Sequence, residues 1–138
     1  MGNENQAVIN RITELYVGTG NTSELARATD ELAADDFVQE WPQSGERLSR
    51  DAFKKVNESY EQATGSAPKF TLRRIVGEGA VHVIEGSIDY GDGVPVSYVG
   101  IVELRDGKIR KLTDYFANPF EAPAWRADFV ERMEPVGV

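Results

Sequence analysis

The stretch VPVSYVGIVELRDGKIRKLTDYFA, residues 94–117, decides the fold. Two β-type runs flank Asp106-Gly107, a dipeptide that favours the tight turn of an antiparallel hairpin. Side chains alternate along the first run. Val96, Tyr98, Gly100, Val102 and Leu104 share one side, while Val99 and Ile101 share the other. In the second run Leu112, Asp114 and Phe116 share a side, so a carboxylate stands on an otherwise apolar strand face. This pattern predicts a sheet with one face covered by the core. Val99 and Ile101 fall on the far face, where a second subunit can cover them, and a homodimer through the sheet is the expectation.

Outward from that hairpin the period changes. Two more β-type runs lie near 69–76 and 80–90, and Gly91-Asp92-Gly93 turns the latter into the 94–105 run. Before residue 69 the spacing is helical. Val8, Ile9, Ile12, Leu15 and Tyr16 recur on one stripe, and Gly18 and Gly20 stop it. Asn21 and Glu24 form a capping-box pair, and Leu25, Ala28, Leu32 and Ala33 predict a second helix. Phe37 to Trp41 reads as a short strand ended by Pro42, and Gln43 to Leu48 as a loop. Ser49 is the expected N-cap of a third helix carrying Ala52, Phe53, Val56, Tyr60 and Ala63, with Gly65 closing it. Ala124 to Met133 is expected to form a short closing helix. Three helices followed by a strand meander predict an α+β fold, one domain over residues 1–138, with the helices on one face of a curved antiparallel sheet.

Composition excludes several classes of function. The chain has 138 residues, which suits one core. Asp plus Glu outnumber Lys plus Arg by 23 to 15, a net charge of -8, which argues against nucleic-acid or anionic-membrane binding. There is no cysteine, so disulfides, thiolate metal sites and cysteine nucleophiles are excluded. One histidine, His82, rules out a multi-histidine metal site. The polar start MGNENQ, with Gln6 where a myristoylation signal has Ser or Thr, and the lack of a membrane-length apolar run make a cytoplasmic protein the expectation. The triplets at Asn21 and Asn57 are then chance glycosylation matches.

The order of elements, with Ala34-Asp35-Asp36-Phe37 after the second helix and Arg105-Asp106-Gly107-Lys108-Ile109 leading to Asp114-Tyr115-Phe116, resembles the SnoaL-like branch of the nuclear transport factor 2-like superfamily. The resemblance implies a cone-shaped α+β fold with a deep apolar pocket between helices and sheet, often as a dimer. It does not fix a function, because the family contains isomerases, cyclases, epoxide hydrolases, dehydratases and non-enzymes. Ketosteroid isomerases are similar around Glu40-Trp41-Pro42, but their general base would fall on Trp41, their tyrosine near Ile12 and their protonated aspartate near Gly100. Tyr16, one turn beyond Ile12, is the substitute candidate. Limonene epoxide hydrolases are similar through the last strands, but their relay would need an Arg near Gly86 and an Asp near Ile88. Only the final aspartate is kept, as Asp114. SnoaL-type cyclases rely chiefly on one aspartate in an apolar pocket, a pattern that Asp114 alone can meet.

Asp114 is therefore the first candidate acid–base group, since burial raises a carboxyl pKa toward the range useful for proton shuttling. The alternative is an aspartate satisfied by cations or backbone N–H groups at a rim. His82, in line with Ile84, Gly86 and Ile88, is either a second acid–base group or a buried structural histidine. Trp41, Tyr60, Tyr98, Phe116 and Trp125 are expected to line a ligand pocket, against the alternative of ordinary core. Trp125 lies in Pro119–Phe129, which is expected to fold over the pocket mouth or reach a partner subunit. Glu40 reads as an edge carboxylate and Arg73-Arg74 as surface ion-pair formers. The expected function is binding of a small apolar molecule. If it is an enzyme, the expected reaction is metal-free proton transfer without an organic cofactor: isomerisation, cyclisation, hydration or dehydration. The alternative is a non-catalytic ligand-binding or protein-interaction module.

Overall fold

The computed structural model describes residues 2–18, 27–65 and 67–133. Helix α1 spans Gly2–Gly18 and a single turn, α2, spans Thr29–Leu32. Strands β1 (Ala33–Trp41) and β2 (Glu46–Ser49) form a hairpin before helix α3 (Arg50–Thr64). The meander β3 (Lys69–Glu78), β4 (Val81–Asp89), β5 (Val96–Arg105) and β6 (Lys108–Ala117) follows, and a 3-10 helix covers Ala124–Phe129. The six strands make one sheet in the order β2-β1-β6-β5-β4-β3. All neighbours are antiparallel except β1 and β6, which run parallel. The parallel pair is what brings Gln39 and Trp41 of β1 beside the second half of β6, with Gln39 opposite Leu112 and Glu40 opposite Thr113.

Local chemistry explains most element ends. The Ser49 hydroxyl accepts from the Ala52 backbone N–H at 3.2 Å, and Gly65 closes α3 in the left-handed conformation at φ 78°. The β5–β6 turn places Asp106 at φ 52° and Gly107 at φ 76°, which only a short polar residue and a glycine adopt readily. Alternation along β5 holds throughout: Val96, Tyr98, Val102 and Leu104 are buried, and Val99 is exposed.

The core has two ends. At one end α1 buries Val8, Ile9 and Ile12 in a cluster with Val102, Leu104 and Ile109. Ile12 and Val102, each 1% exposed, are packed tightly enough that truncation to alanine costs about 2–5 kcal/mol. At the other end α3 stands over β1, with its one fully buried side chain, Phe53, 5.9 Å from Phe37 between ring centroids.

Four expectations change. The sheet is mixed and not wholly antiparallel, because β1 enters beside β6 in parallel. Ala33 begins β1 and does not extend the second helix; the part of that helix predicted over 21–26 lies outside the described residues. The predicted loop 43–48 contains β2, because a turn at 42–45 lets Leu48 tuck into the core. The expected closing helix Ala124 to Met133 is a 3-10 segment ending at Phe129, and it buries no side chain.

Candidate functional site

Between α3 and the sheet a cavity of about 210 Å³ remains open. Its floor is the concave face of β4, β5 and β6, supplied by Ile88, Tyr98, Leu112, Asp114 and Phe116. Gln39 and Trp41 of β1 close one side, Phe70 of β3 the other, and Phe53, Asn57 and Tyr60 of α3 the top. The mouth lies near Val56 and Tyr90, which are 42% and 40% exposed. No described residue of α1 lines it.

Asp114 sits at the deep end, 3% exposed. Three side chains donate to its carboxylate. The Tyr98 hydroxyl donates to Oδ1 at 2.5 Å, the Trp41 indole N–H donates to Oδ2 at 3.0 Å, and the Gln39 amide donates to Oδ2 as well. Burial pushes the Asp114 carboxyl up to about 6, with the three donors from Tyr98, Trp41 and Gln39 holding it down against a larger rise. The physical balance is a charge removed from water and compensated by fixed dipoles, without a cation. The described lining residues include no Lys, Arg or His.

Glycines make this arrangement possible. Gly100 stands opposite Asp114 in the β5–β6 ladder, and Tyr98 lies over it to reach the carboxylate. Gly86 stands opposite Tyr98 in the β4–β5 ladder, and the Phe70 ring lies over that glycine, meeting Tyr98 edge-on at 5.3 Å between centroids. Phe116 flanks Tyr98 from the other side at 5.6 Å. The hydroxyl of Tyr98 is thus aimed by ring packing before it is held by Asp114.

Of the residues singled out in the sequence, Asp114, Trp41, Tyr60, Tyr98 and Phe116 come together around this cavity. Two do not. His82 is buried at 3% exposure, but it stands opposite Gly77 and Val102, on the same side as Ile84 and outside the cavity lining. His82 and Ile84 are both buried, as the alternation of β4 implies. The cavity meets that strand only at its Ile88 end, which removes His82 from the site. Trp125 is 76% exposed with the Arg126 guanidinium 6.0 Å from its ring, and it does not line the cavity. The Tyr16 side chain lies outside the described residues.

Glu40 is paired with Arg47 and Lys111, each at 2.9 Å, and the Lys111 and Arg47 partners hold its carboxyl below the usual range. Arg73 and Arg74 both pair with Glu85, at 3.7 and 2.6 Å. Among the described residues no group of three or more His, Asp or Glu is placed to hold a metal ion, and no helix is long and apolar enough to cross a membrane.

Sequence reasoning missed Gln39, Asn57, Phe70 and Tyr90 as lining residues. Gln39 left a readable trace: it sits on the Phe37–Trp41 alternation, so its amide shares the core face of β1 with Phe37. Asn57 stands one helical turn after Phe53 and one before Tyr60–Glu61, on the stripe already assigned to the core. Phe70 and Tyr90 gave no separate signal.

The SnoaL-like domain model matches residues 15–112. An NTF-2 like protein of unknown function from Burkholderia xenovorans LB400 is 32% identical over 94% of this chain and 98% of its own, with a TM-score of 0.73. A "putative ketosteroid isomerase" from Kribbella flavida DSM 17836 is 25% identical over 97% of this chain and 93% of its own, also at a TM-score of 0.73. Wild-type IdmH, a "putative polyketide cyclase" from Streptomyces antibioticus, shares the fold at 17% identity and a TM-score of 0.62, covering 79% of this chain and 91% of its own. No curated protein matches. With its family model running from the last turns of α1 to β6 and its sheet order and pocket-bearing face in place, the chain belongs to the SnoaL-like family of the nuclear transport factor 2-like superfamily.

Proposed function

We propose that this protein binds a small, largely apolar molecule in the cavity and that Asp114 moves a proton on it. The observation that carries the reading is a carboxyl 3% exposed, at the end of an aromatic cavity, with a pKa pushed up to about 6. Such a group is a carboxylate at neutral pH yet holds a proton well enough to return it. As a base it takes a proton from a carbon or oxygen of the ligand. As the resulting acid it delivers that proton to a second position. Tyr98, Trp41 and Gln39 position Asp114, because their donors fix both oxygens and limit the gain in basicity on burial. Isomerisation, cyclisation, hydration and dehydration all fit this single acid–base group. The reaction needs no organic cofactor, since a positioned acid or base suffices.

A second reading, binding without chemistry, is favoured by the same three donors. A carboxylate that already accepts three hydrogen bonds has few acceptor positions left for a substrate proton. Native mass spectrometry of the protein purified from its own host, followed by mild denaturation, tests both readings. Release of a stoichiometric small molecule supports binding. Deuterium uptake into that molecule with the native protein, lost with Asp114→Asn while binding persists, supports proton transfer. Binding with no exchange in either protein leaves the carrier reading in place. An empty protein that takes up no hydrophobic dye overturns both.

A further inference from the structure

The cavity carries polar groups at its deep end and at its mouth. At the deep end the buried chemistry is acceptor-rich. Asp114 is there, and beside it Gln39, 2% exposed, carries an amide oxygen with no hydrogen-bond partner among the described residues. At the mouth the polar groups are phenols, which can donate to a ligand oxygen. Tyr60 on α3 and Tyr90 after β4 meet edge-on, 6.0 Å between ring centroids, and both phenols line the cavity there. Burial raises the Tyr90 phenol further above its usual range, with the Tyr60 and Asp114 charges adding to the effect, so it stays a neutral donor. Between the two ends lie Phe53, Phe70, Ile88 and Leu112. These four side chains offer no polar atom; the Asn57 amide of α3, which donates to the Phe53 carbonyl at 2.9 Å, is a further polar group on the wall.

Size and charge narrow the occupant. An engineered cavity of about 150 Å³ holds benzene, and drug-sized ligands occupy about 300–1,000 Å³. At about 210 Å³ this cavity falls between them. The part of a ligand that this open cavity can enclose is a ring of benzene size with a substituent, or two small fused rings. An anionic ligand would enter a space that already holds the Asp114 carboxylate and has no Lys, Arg or His on its described walls. That combination costs too much desolvation to be compensated.

We propose that the natural ligand is a neutral one- or two-ring hydroxy-carbonyl compound, its hydroxyl donating to the Asp114–Gln39 end and its carbonyl accepting from Tyr60 and Tyr90 at the mouth. This rests on the reading that the cavity takes a ligand, and it does not require Asp114 to transfer a proton. The donor end of the ligand matches the acceptors at depth, and the acceptor end matches the donors at the rim. Reversal would leave the Gln39 oxygen unsatisfied, and a buried unpaired acceptor is costly.

Titration calorimetry on the full chain at pH 7 tests it with four probes: 4-hydroxyacetophenone, acetophenone, phenol and 4-hydroxybenzoate. The first should bind at least about 10-fold more tightly than acetophenone or phenol, since each lost buried hydrogen bond is worth roughly a factor of ten. The 4-hydroxybenzoate anion should bind at least about 10-fold more weakly than 4-hydroxyacetophenone. In the Tyr60→Phe/Tyr90→Phe protein, 4-hydroxyacetophenone should fall to the affinity of phenol, and phenol itself should be unchanged. Equal affinity for acetophenone and 4-hydroxyacetophenone overturns the deep end of the proposal. An anion that binds as well as the ketone, or a four-ring steroid that binds more tightly, overturns the size and charge argument. Dye uptake without discrimination among the probes overturns this inference and leaves the binding reading intact. No uptake of dye or probe overturns both.

Discussion

Gly100 stands directly opposite Asp114 in the β5–β6 ladder, and the missing side chain there is what lets Tyr98 reach the carboxylate. A methyl group at Gly100 would overlap the Tyr98 hydroxyl, come within 2.8 Å of its ring carbon and lie 3.2 Å from Asp114 Oδ1. The backbone of Gly100 is not in the left-handed region, so space and not conformation requires glycine. The glycine is thus used here to admit a tyrosine from the same strand.

Gly100→Ala should therefore destabilise the protein by about 1–3 kcal/mol, the usual cost of overpacking. Chemical denaturation of a double-mutant cycle checks the cause. In a Tyr98→Phe background the offending oxygen is gone, so Gly100→Ala should cost less there than in the wild type. Equal costs in both backgrounds would mean that the methyl collides with something other than the hydroxyl.

Tyr98→Phe by itself should move the titration of Asp114. The Tyr98 donor is the largest of the influences that hold this carboxyl down, against burial that raises it. Hydrogen bonds to a charged group are worth about 1.5–3 kcal/mol, so the titration should rise by about one to two pH units from its value near 6. Carboxyl-labelled NMR of Asp114 reads this directly. Any Asp114-dependent proton exchange should shift its pH midpoint in step. An unmoved titration would show that Tyr98 does not hold the carboxylate in solution.

Much of this geometry was legible in the sequence, and the reasons differ by residue. Alternation along β5 and β6 placed Tyr98, Asp114 and Phe116 on one face, because a sheet with one covered face imposes its period on the chain. The turn at Asp106-Gly107 was legible because few residues adopt positive φ. The parallel contact between β1 and β6 was not, since it joins segments about seventy residues apart with no local signal, and with it went Gln39. The choice between the two readings of His82 was not legible for a related reason. Alternation says which face a residue occupies and not how far along the strand a cavity extends. The four residues of β2 bury one side chain, too few to mark a period.

The outer face of the sheet carries the expectation of a dimer into a test. Val99 and Tyr115 oppose each other in the β5–β6 ladder and are 36% and 42% exposed. We propose that a second copy covers this face, in keeping with the apolar pair at its centre. Light scattering of the purified protein should give a dimer mass. Val99→Lys with Tyr115→Glu should give a folded monomer, because neither residue packs in the core. A wild-type monomer at micromolar concentration would remove the proposal.

Asp114→Asn supplies the stability test of the buried carboxyl. The folded protein holds the Asp114 proton up to about pH 6, whereas the group's ordinary value is 3.8. Between these values the folded state binds more protons than the unfolded state, so the contribution of Asp114 to stability falls as pH rises. Two units correspond to about 3 kcal/mol, lost across roughly pH 4 to 6 and fully absent above pH 7. Asp36 and Glu40 act in the opposite direction. Arg105 holds Asp36 down, and Lys111 and Arg47 hold Glu40 down, so their stabilisation is present above their ordinary values and disappears in acid. Those exposed pairs are the same in wild type and variant, and they cancel in the difference. Asn keeps the shape of Asp without the charge. Its stability relative to wild type should therefore rise by about 3 kcal/mol from pH 4 to pH 7 in urea denaturation. A difference that stays flat across that range would mean that the carboxylate is already compensated in full by Tyr98, Trp41 and Gln39. It would then titrate near its ordinary value, and proton transfer at neutral pH would lose its acid.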